Sequence, residues 1–276
     1  MEFKNKIAIV TGGSEGIGFG IAQKLISGGA KVYLVARTIS KLEKAKDLLS
    51  KDKNSIEIRP ADITDFDSIK NIIDEVYDSE ERLDIFVNNA GAYQPITINS
   101  PLQNVDRILS LDFFAPFKIT HYLLQKFSPI NHELKILNIL SQAAQVILEN
   151  GIGYGTAKKA FAASLFELEH QLAVEKINNI KLYRLYPGTV ATKAVIELVK
   201  LGKLQNPTSL ESVIDAAIDL LMDRTKTRDI YVGFVPSEGI KRKYYSFDPD
   251  KFTLLPLLQE EVVDRTFNPN NYIEKY

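Results

Sequence analysis

Short apolar runs recur along the chain at strand length: Ile7 to Val10, Val32 to Ala36, Ile56 to Ile58, Ile85 to Val87, Ile136 to Leu140, Lys181 to Tyr186 and Ile230 to Val232. Between them lie longer segments with apolar residues three and four apart, at Gly18 to Ser27, Ile39 to Leu49, Ser68 to Tyr77, Val105 to Phe127 and Thr156 to Val174. That spacing predicts amphipathic helices, and a strand–helix–strand alternation predicts a parallel sheet. Ile85-Phe86-Val87 is apolar at every position, which fits a strand covered by helices on both faces. The expectation is therefore an α/β fold, a doubly wound parallel sheet of Rossmann type over residues 1 to about 235.

From Pro236 to Tyr276 the alternation stops, and one short apolar stretch, Phe252 to Leu258, stands among Pro, Tyr, Asp and Asn. These residues are expected to form an extension packed on the single domain. No internal repeat, low-complexity tract or Gly/Ser linker interrupts the chain.

Composition narrows the chemistry. The 276 residues carry 34 Lys and Arg against 35 Asp and Glu, so the long-range positive field that nucleic acids require is missing. With no cysteine and three scattered histidines, His121, His132 and His170, thiolate catalysis, disulfides and a resident metal are not expected. The start of the chain lacks a signal-peptide apolar core, and no apolar run approaches the roughly 20 residues of a transmembrane helix. A cytoplasmic location is the default.

The first strand is followed at once by Thr11-Gly12-Gly13-Ser14-Glu15-Gly16-Ile17-Gly18 and then by a helix. Glycines there permit a tight turn and a close backbone approach to a pyrophosphate, and the helix start offers unpaired N–H groups and partial positive charge. At the end of the second strand, where a carboxylate would accept from ribose hydroxyls and repel a 2′-phosphate, the chain has Arg37, whose guanidinium can grip that phosphate. This favours NADP(H) over NAD(H), while Glu15 in the glycine loop pulls the other way. Asp62 and Ile63 follow the third strand, and Asn88, Asn89, Ala90 and Gly91 the fourth, both on the edge where ligands of open sheets bind. Asp62 can accept from an adenine amino group or, equally, cap the next helix.

Tyr154 and Lys158 stand four apart on a helix, so they share a face. A phenol with a reference pKa of about 10 is a poor base, but a neighbouring cation favours its ionised form. Tyr154 then suits proton exchange with a carbonyl or alcohol, and Ser141, thirteen residues upstream, can hold the substrate oxygen.

In the order and spacing of Thr11 to Gly18, Asp62, Asn88 to Gly91, Ser141, Tyr154, Lys158 and Pro187-Gly188-Thr189-Val190-Ala191-Thr192, residues 5 to 235 resemble the short-chain dehydrogenase/reductase family. The resemblance implies an NADP(H)-dependent oxidoreductase that interconverts a ketone or aldehyde and an alcohol by hydride transfer. It implies Tyr154 as general acid/base, Lys158 also on the nicotinamide ribose, Ser141 positioning the carbonyl, Val190 backbone and Thr192 on the carboxamide, and Arg37 on the 2′-phosphate.

One position departs: the family's usual Asn in its proton relay is matched by Asp112, whose carboxylate can pair with Lys158 or perturb Tyr154. Thr189 to Asn206, with several apolar residues, would cover the substrate, which suggests an apolar ligand; Tyr93, Gln142 and Leu148 would lie nearby. The stretches around Ser141 and Arg37 look like those of 3-ketosphinganine reductases and, less specifically, 3-oxoacyl carrier-protein reductases. The family further implies a homodimer or homotetramer through the helices Val105 to Phe127 and Thr156 to Val174. The alternative of a different class is a catalytically silent dinucleotide-binding regulatory protein.

Overall fold

The computed structural model describes residues 2–49, 55–235, 239–245 and 257–264. Seven parallel strands, β1 (Ile7–Thr11), β2 (Lys31–Ala36), β3 (Ile56–Pro60), β4 (Ile85–Asn88), β5 (Leu134–Ile139), β6 (Ile180–Pro187) and β7 (Asp229–Val235), form the sheet in the order β3-β2-β1-β4-β5-β6-β7. Each of the seven apolar runs read from the sequence lies within or overlaps one of these strands. The order reverses between β1 and β4, the crevice where open parallel sheets bind ligands.

Among the described residues eight α-helices join the strands: α1 (Gly16–Ser27), α2 (Ile39–Leu49), α3 (Phe66–Glu80), α4 (Leu102–Leu109), α5 (Ala115–Phe127), α6 (Ile152–Val174), α7 (Lys193–Lys200) and α8 (Leu210–Leu221). The sheet separates two apolar cores. Phe19, Leu25, Leu42, Ile214 and Leu220 fill one side, from α1, α2 and α8. Ile69, Ile73, Ile119, Leu123, Phe161 and Leu165 fill the other, from α3, α5 and α6. Strands such as Ile7–Thr11 and Ile85–Asn88 are buried at every position, as a doubly covered sheet requires.

The segment expected as one helix from Val105 to Phe127 is divided. Between α4 and α5, Ser110–Phe114 form a π turn, so the apolar periodicity continues while the hydrogen-bond pattern widens at Asp112. Helix α8, for which no periodic segment was singled out, begins at a Ser209 cap whose hydroxyl accepts from Ser212 N–H.

After β7 the sheet continues with antiparallel strands β8 (Gly239–Tyr245) and β9 (Leu257–Asp264). Part of the region past Pro236 thus belongs to the same sheet and covers the outer edge of β7. The apolar stretch Phe252 to Leu258 lies outside the described residues up to 256, as does the chain from 265.

The crevice between β1 and β4 is pinned at both ends. At the N-terminal end, buried Asp84 accepts from Ile7 N–H at 2.9 Å and pairs with Lys6 at 2.8 Å and Arg82 at 2.6 Å. Burial pushes its carboxyl upward, but hydrogen bonds from Arg82, Lys6 and Ile7 outweigh that and leave it below the ordinary carboxylate value. Asp84→Asn should therefore cost about 2 kcal/mol at neutral pH, the scale of hydrogen bonds to a charged group. Because the folded-state value is depressed, this contribution is present above the ordinary pKa of 3.8 and is lost as pH falls through the folded value. Denaturant midpoints of wild type and variant, separate at pH 7 and converging toward pH 2, are the measurement.

Candidate active site

At the opposite, C-terminal end of β1, the Thr11 hydroxyl donates to Val87 O at 3.0 Å and accepts from Asn89 N–H at 3.0 Å and Ala90 N–H at 3.2 Å. The Asn89 amide returns bonds to Thr11 O at 2.9 Å and Gly12 O at 3.2 Å. These contacts fasten the glycine loop to the end of β4. The glycines are required by space: a Cβ on Gly12 would stand 2.7 Å from Asn89 Nδ2, and one on Gly18 2.5 Å from both that atom and Gly12 O. Gly12 and Gly16 also hold positive φ, 63° and 61°.

Helix α1 starts without a side-chain cap. Its Ncap, Glu15, is extended at φ −159° and makes no capping bond, and the first turn carries no acid. No side-chain cap satisfies its first N–H groups, which lie at the C-terminal edge of the sheet, an arrangement that suits a pyrophosphate. The residues present thus fit a dinucleotide, with Ser14 and the half-buried Ile17 completing the loop.

Around the expected adenosine end, Arg37 is exposed and lies 3.8 Å from Asp62, while Glu15 pairs with Lys41 on α2 at 3.0 Å. Lys41 was not singled out in the sequence. It stands four residues after Arg37, in the first turn of α2, and that spacing was the available signal. Asp62 does not cap α3: Asp65 does, accepting from Ser68 N–H, while Asp62 accepts from Thr64 N–H at 2.9 Å and Thr64 hydroxyl at 2.8 Å. Ile63 turns its side chain into the core.

The loop after β6 comes back toward the glycines. Gly188 N–H donates to Val232 O, and buried Val190 bridges in parallel to Thr208. Thr192 caps α7 without using its hydroxyl, and its Cγ2 lies 3.5 Å from where a Gly16 Cβ would be. Thr192 is thereby brought beside the loop that begins α1, while Gly188 and Val190 are held against Val232 and Thr208. Helix α7 occupies the middle of the segment expected to cover the substrate; Ile196 is buried and Leu198 exposed.

Of the residues expected to be reactive, Tyr154 and Lys158 lie on α6, which reaches the end of β5 and the turn after Ser141 through Lys158 to Ile139 O and Lys159 to Ala143 O. Lys158 is buried, its ammonium 5.6 Å from the Tyr154 ring centre and 3.4 Å from Ile139 O. Tyr154 is half-buried, with Tyr93 edge-on at 5.4 Å. Ser141 ends β5, and its hydroxyl accepts from Ala143 N–H at 3.1 Å, which leaves its proton free to donate. Asp112 is fully buried in the π turn and pairs with Lys158 at 3.1 Å, its second oxygen accepting from Ala92 N–H at 3.2 Å. Burial pushes the Lys158 ammonium toward neutrality, but Asp112 and Tyr154 outweigh that and hold its pKa above the ordinary lysine value.

A model of the short chain dehydrogenase family matches residues 6–200. The chain belongs to this family. Among curated relatives, a fatty acyl-CoA reductase of Acinetobacter baylyi is 27% identical over 240 residues, covering 85% of this chain and 79% of that enzyme. This short-chain dehydrogenase also spans 61% of a Dictyostelium discoideum dehydrogenase/reductase SDR family protein 7-like, at 30% identity over 200 residues covering 69% of this chain. A short-chain type dehydrogenase/reductase from Mycobacterium ulcerans has the same fold, with a TM-score of 0.74 at 23% identity over 84% of this chain and 89% of that one. Family membership makes the chain an oxidoreductase that uses a nicotinamide dinucleotide and a small-molecule substrate. Among the described residues no helix is long and apolar enough to cross a membrane, and no three His, Asp or Glu side chains gather as a metal site.

Proposed function

We propose that this short-chain dehydrogenase is an NADP(H)-dependent reductase of an apolar ketone or aldehyde, or the corresponding alcohol dehydrogenase. The observation that carries the reading is the buried Lys158 ammonium beside the half-buried Tyr154 ring, one turn apart on α6, at the sheet edge where the uncapped start of α1 opens.

In this reading Gly12, Ser14, Glu15, Gly16, Ile17 and Gly18 cradle the pyrophosphate, Asp62 and Ile63 flank the adenine, Asn89, Ala90 and Gly91 line the nucleotide path, and Pro187, Gly188, Val190 and Thr192 hold the carboxamide. The bound nicotinamide supplies or receives the hydride. The chain's own groups handle the proton and the oxygen: Ser141 donates a hydrogen bond to the carbonyl oxygen, Tyr154 gives that oxygen its proton on reduction, and Lys158 holds the nicotinamide ribose and favours the ionised form of Tyr154.

The phosphate preference rests on two cations, Arg37 and Lys41, whose present partners Asp62 and Glu15 are themselves exposed. The apolar substrate class is supported by exposed side chains around the Ile96–Gly151 bridge: Tyr93, Ile98 and Ile147 on the two loops and Ile152 at the start of α6. It agrees with the fatty acyl-CoA reductase activity of the Acinetobacter relative. A long-chain 3-ketone of sphinganine or 3-oxoacyl type falls within it. The second reading, a dinucleotide-binding regulator without turnover, is favoured by one feature, the counter-charge that Asp112 places on Lys158.

We also propose that the protein is a homodimer or homotetramer. Phe113, Phe114, Phe117 and His121 form a continuous aromatic ridge on the π turn and α5, with Phe114 47% exposed, a surface that a second copy would bury. Light scattering should give a multiple of 31.0 kDa for wild type and a smaller mass for Phe114→Glu; a wild-type monomer overturns this.

The functional test is NADPH oxidation across a panel of apolar aldehydes and ketones. Tyr154→Phe should lower turnover by about 10²–10⁴-fold, the scale of general acid catalysis, while still binding NADPH. Arg37→Ala should weaken NADPH about 10- to 100-fold and leave NADH unchanged, as loss of a charged hydrogen bond predicts. Cofactor binding without turnover on any member of the panel selects the regulatory reading, and tighter NADH than NADPH binding overturns the phosphate assignment.

A further inference from the structure

The carboxylate of Asp112 is a charge that the proposed chemistry does not itself consume. It is fully buried, in the only residue of the π turn between α4 and α5 that is buried. Its Oδ1 lies 3.1 Å from Lys158 Nζ and takes no hydrogen bond from any other described group, and its Oδ2 accepts from Ala92 N–H. Gly91 is shaped around it: a Cβ at that position would collide with Asp112 Oδ1. The carboxylate is thus lodged between the turn after β4 and the lysine.

The charges around this pair are few. On α6 the facing groups are Lys158 and Tyr154; Lys159 points elsewhere, donating to Ala143 O and Val146 O. On α4, Asp106 and Arg107 are exposed, Arg107 bonding to Gln94, and on α5 Lys118 and His121 are exposed. Tyr93 packs on Tyr154 from the exposed side. Beneath, β4 and β5 contribute the neutral pair Asn88 and Asn138, bonded to each other and to Thr120 and Tyr183 O. Solvent screens the exposed groups, so Asp112 is the one carboxylate that Lys158 meets at short range.

We propose that Asp112 is a positioning residue whose buried carboxylate acts as a fixed counter-charge to Lys158, so that the Tyr154–Lys158 pair works in an electrically neutral rather than a cationic site. This rests on the assignment of Tyr154 as the acid/base group. With Asp112 ionised, the site with both Tyr154 and Lys158 protonated carries no net charge, and loss of a proton creates a buried negative charge. With a neutral residue at 112 the same site starts at one positive charge and loses a proton to reach neutrality. Whichever of the two coupled groups releases it, the first proton leaves at lower pH in the neutral variant. The carboxylate therefore makes the coupled Tyr154–Lys158 pair hold its first proton to higher pH.

Asp112→Asn tests this, since the amide keeps the shape and an oxygen for Ala92 N–H. In alcohol oxidation, the rising limb of the kcat profile against pH should move down by about one unit or more in the variant. An unmoved limb, with unfolding midpoint changed or not, overturns the proposal and leaves Asp112 a purely structural group. If no carbonyl or alcohol turns over, the functional reading fails separately. The counter-charge is then read from tyrosinate absorbance, as the difference between proteins with Tyr154 and with Phe at that position. A titration shifted down by Asp112→Asn upholds it, and an unshifted one overturns it. Should Asp112→Asn not fold, lysine nitrogen NMR of the wild type decides: Lys158 keeping its proton past pH 10.5 upholds the pairing, and loss of the proton below that value overturns it.

Discussion

The parallel pairing of β1 with β4 is the constraint on which the rest depends. Every strand before β4 lies to one side of β1, and every later strand lies beyond β4, so the crevice opens only because these two meet. Apolar burial alone would hold the middle of this pair, because Ile9, Val10, Phe86 and Val87 are sealed on both faces. Its two ends reach the polar edges, and there the chain uses hydrogen bonds that cannot slip in register. Asp84 takes the Ile7 N–H at one end, and the Thr11 hydroxyl takes Asn89 and Ala90 N–H at the other. The glycine loop and the Asn88–Gly91 turn inherit their relative position from that second clamp, and Gly91 in turn fixes where Asp112 lies.

Most of this was legible in the sequence because doubly covered strands must be apolar and helices on a sheet must be amphipathic. What escaped had a different physical basis. Strand β8, Gly239–Tyr245, places Lys241, Arg242 and Lys243 in succession between Ile240 and Tyr244, and β9 carries Glu260 and Glu261. These are antiparallel outer strands with a solvated face, where charges pair across strands: Lys243 with Glu260 at 3.2 Å, and Arg242 down to Asp219 on α8 at 2.7 Å. A search for apolar runs passes over such strands. The π turn was invisible for the opposite reason: widening the helix by one residue leaves the apolar stripe from Val105 to Phe127 unbroken. Asp112 could be aligned by family position, but its contact with Lys158 depends on that turn.

At the candidate site, the shared face of Tyr154 and Lys158 was legible because the two are four apart on one helix. Lys41 was not, since its role comes from α2 running past the glycine loop, a tertiary relation that one turn of sequence does not announce. The Asp62 capping alternative failed locally: Asp65, three residues on, lies at the correct offset from Ser68, and Asp62 is left to close its own turn with Thr64.

The charges of the molecule divide by edge. The N-terminal ends of the strands carry dense, part-buried clusters: Asp84 with Lys6 and Arg82, Asp223 with Lys135, Lys181 and Tyr183, and Arg184 with Asp229 and Glu169. These brace the sheet where no ligand is expected. At the C-terminal edge each of the three cations aimed at the proposed dinucleotide also has a carboxylate partner, but the pairs differ in depth. Arg37–Asp62 and Lys41–Glu15 are exposed, and exposed pairs are worth about 0–1 kcal/mol, so a phosphate can take either cation at little cost. Lys158–Asp112 is buried, and removing one partner of such a pair leaves an uncompensated charge in a dry site, a far larger penalty. The same motif of cation and carboxylate is thus readily exchanged where the adenosine phosphate would arrive and fixed where the proton would move, and burial makes the difference.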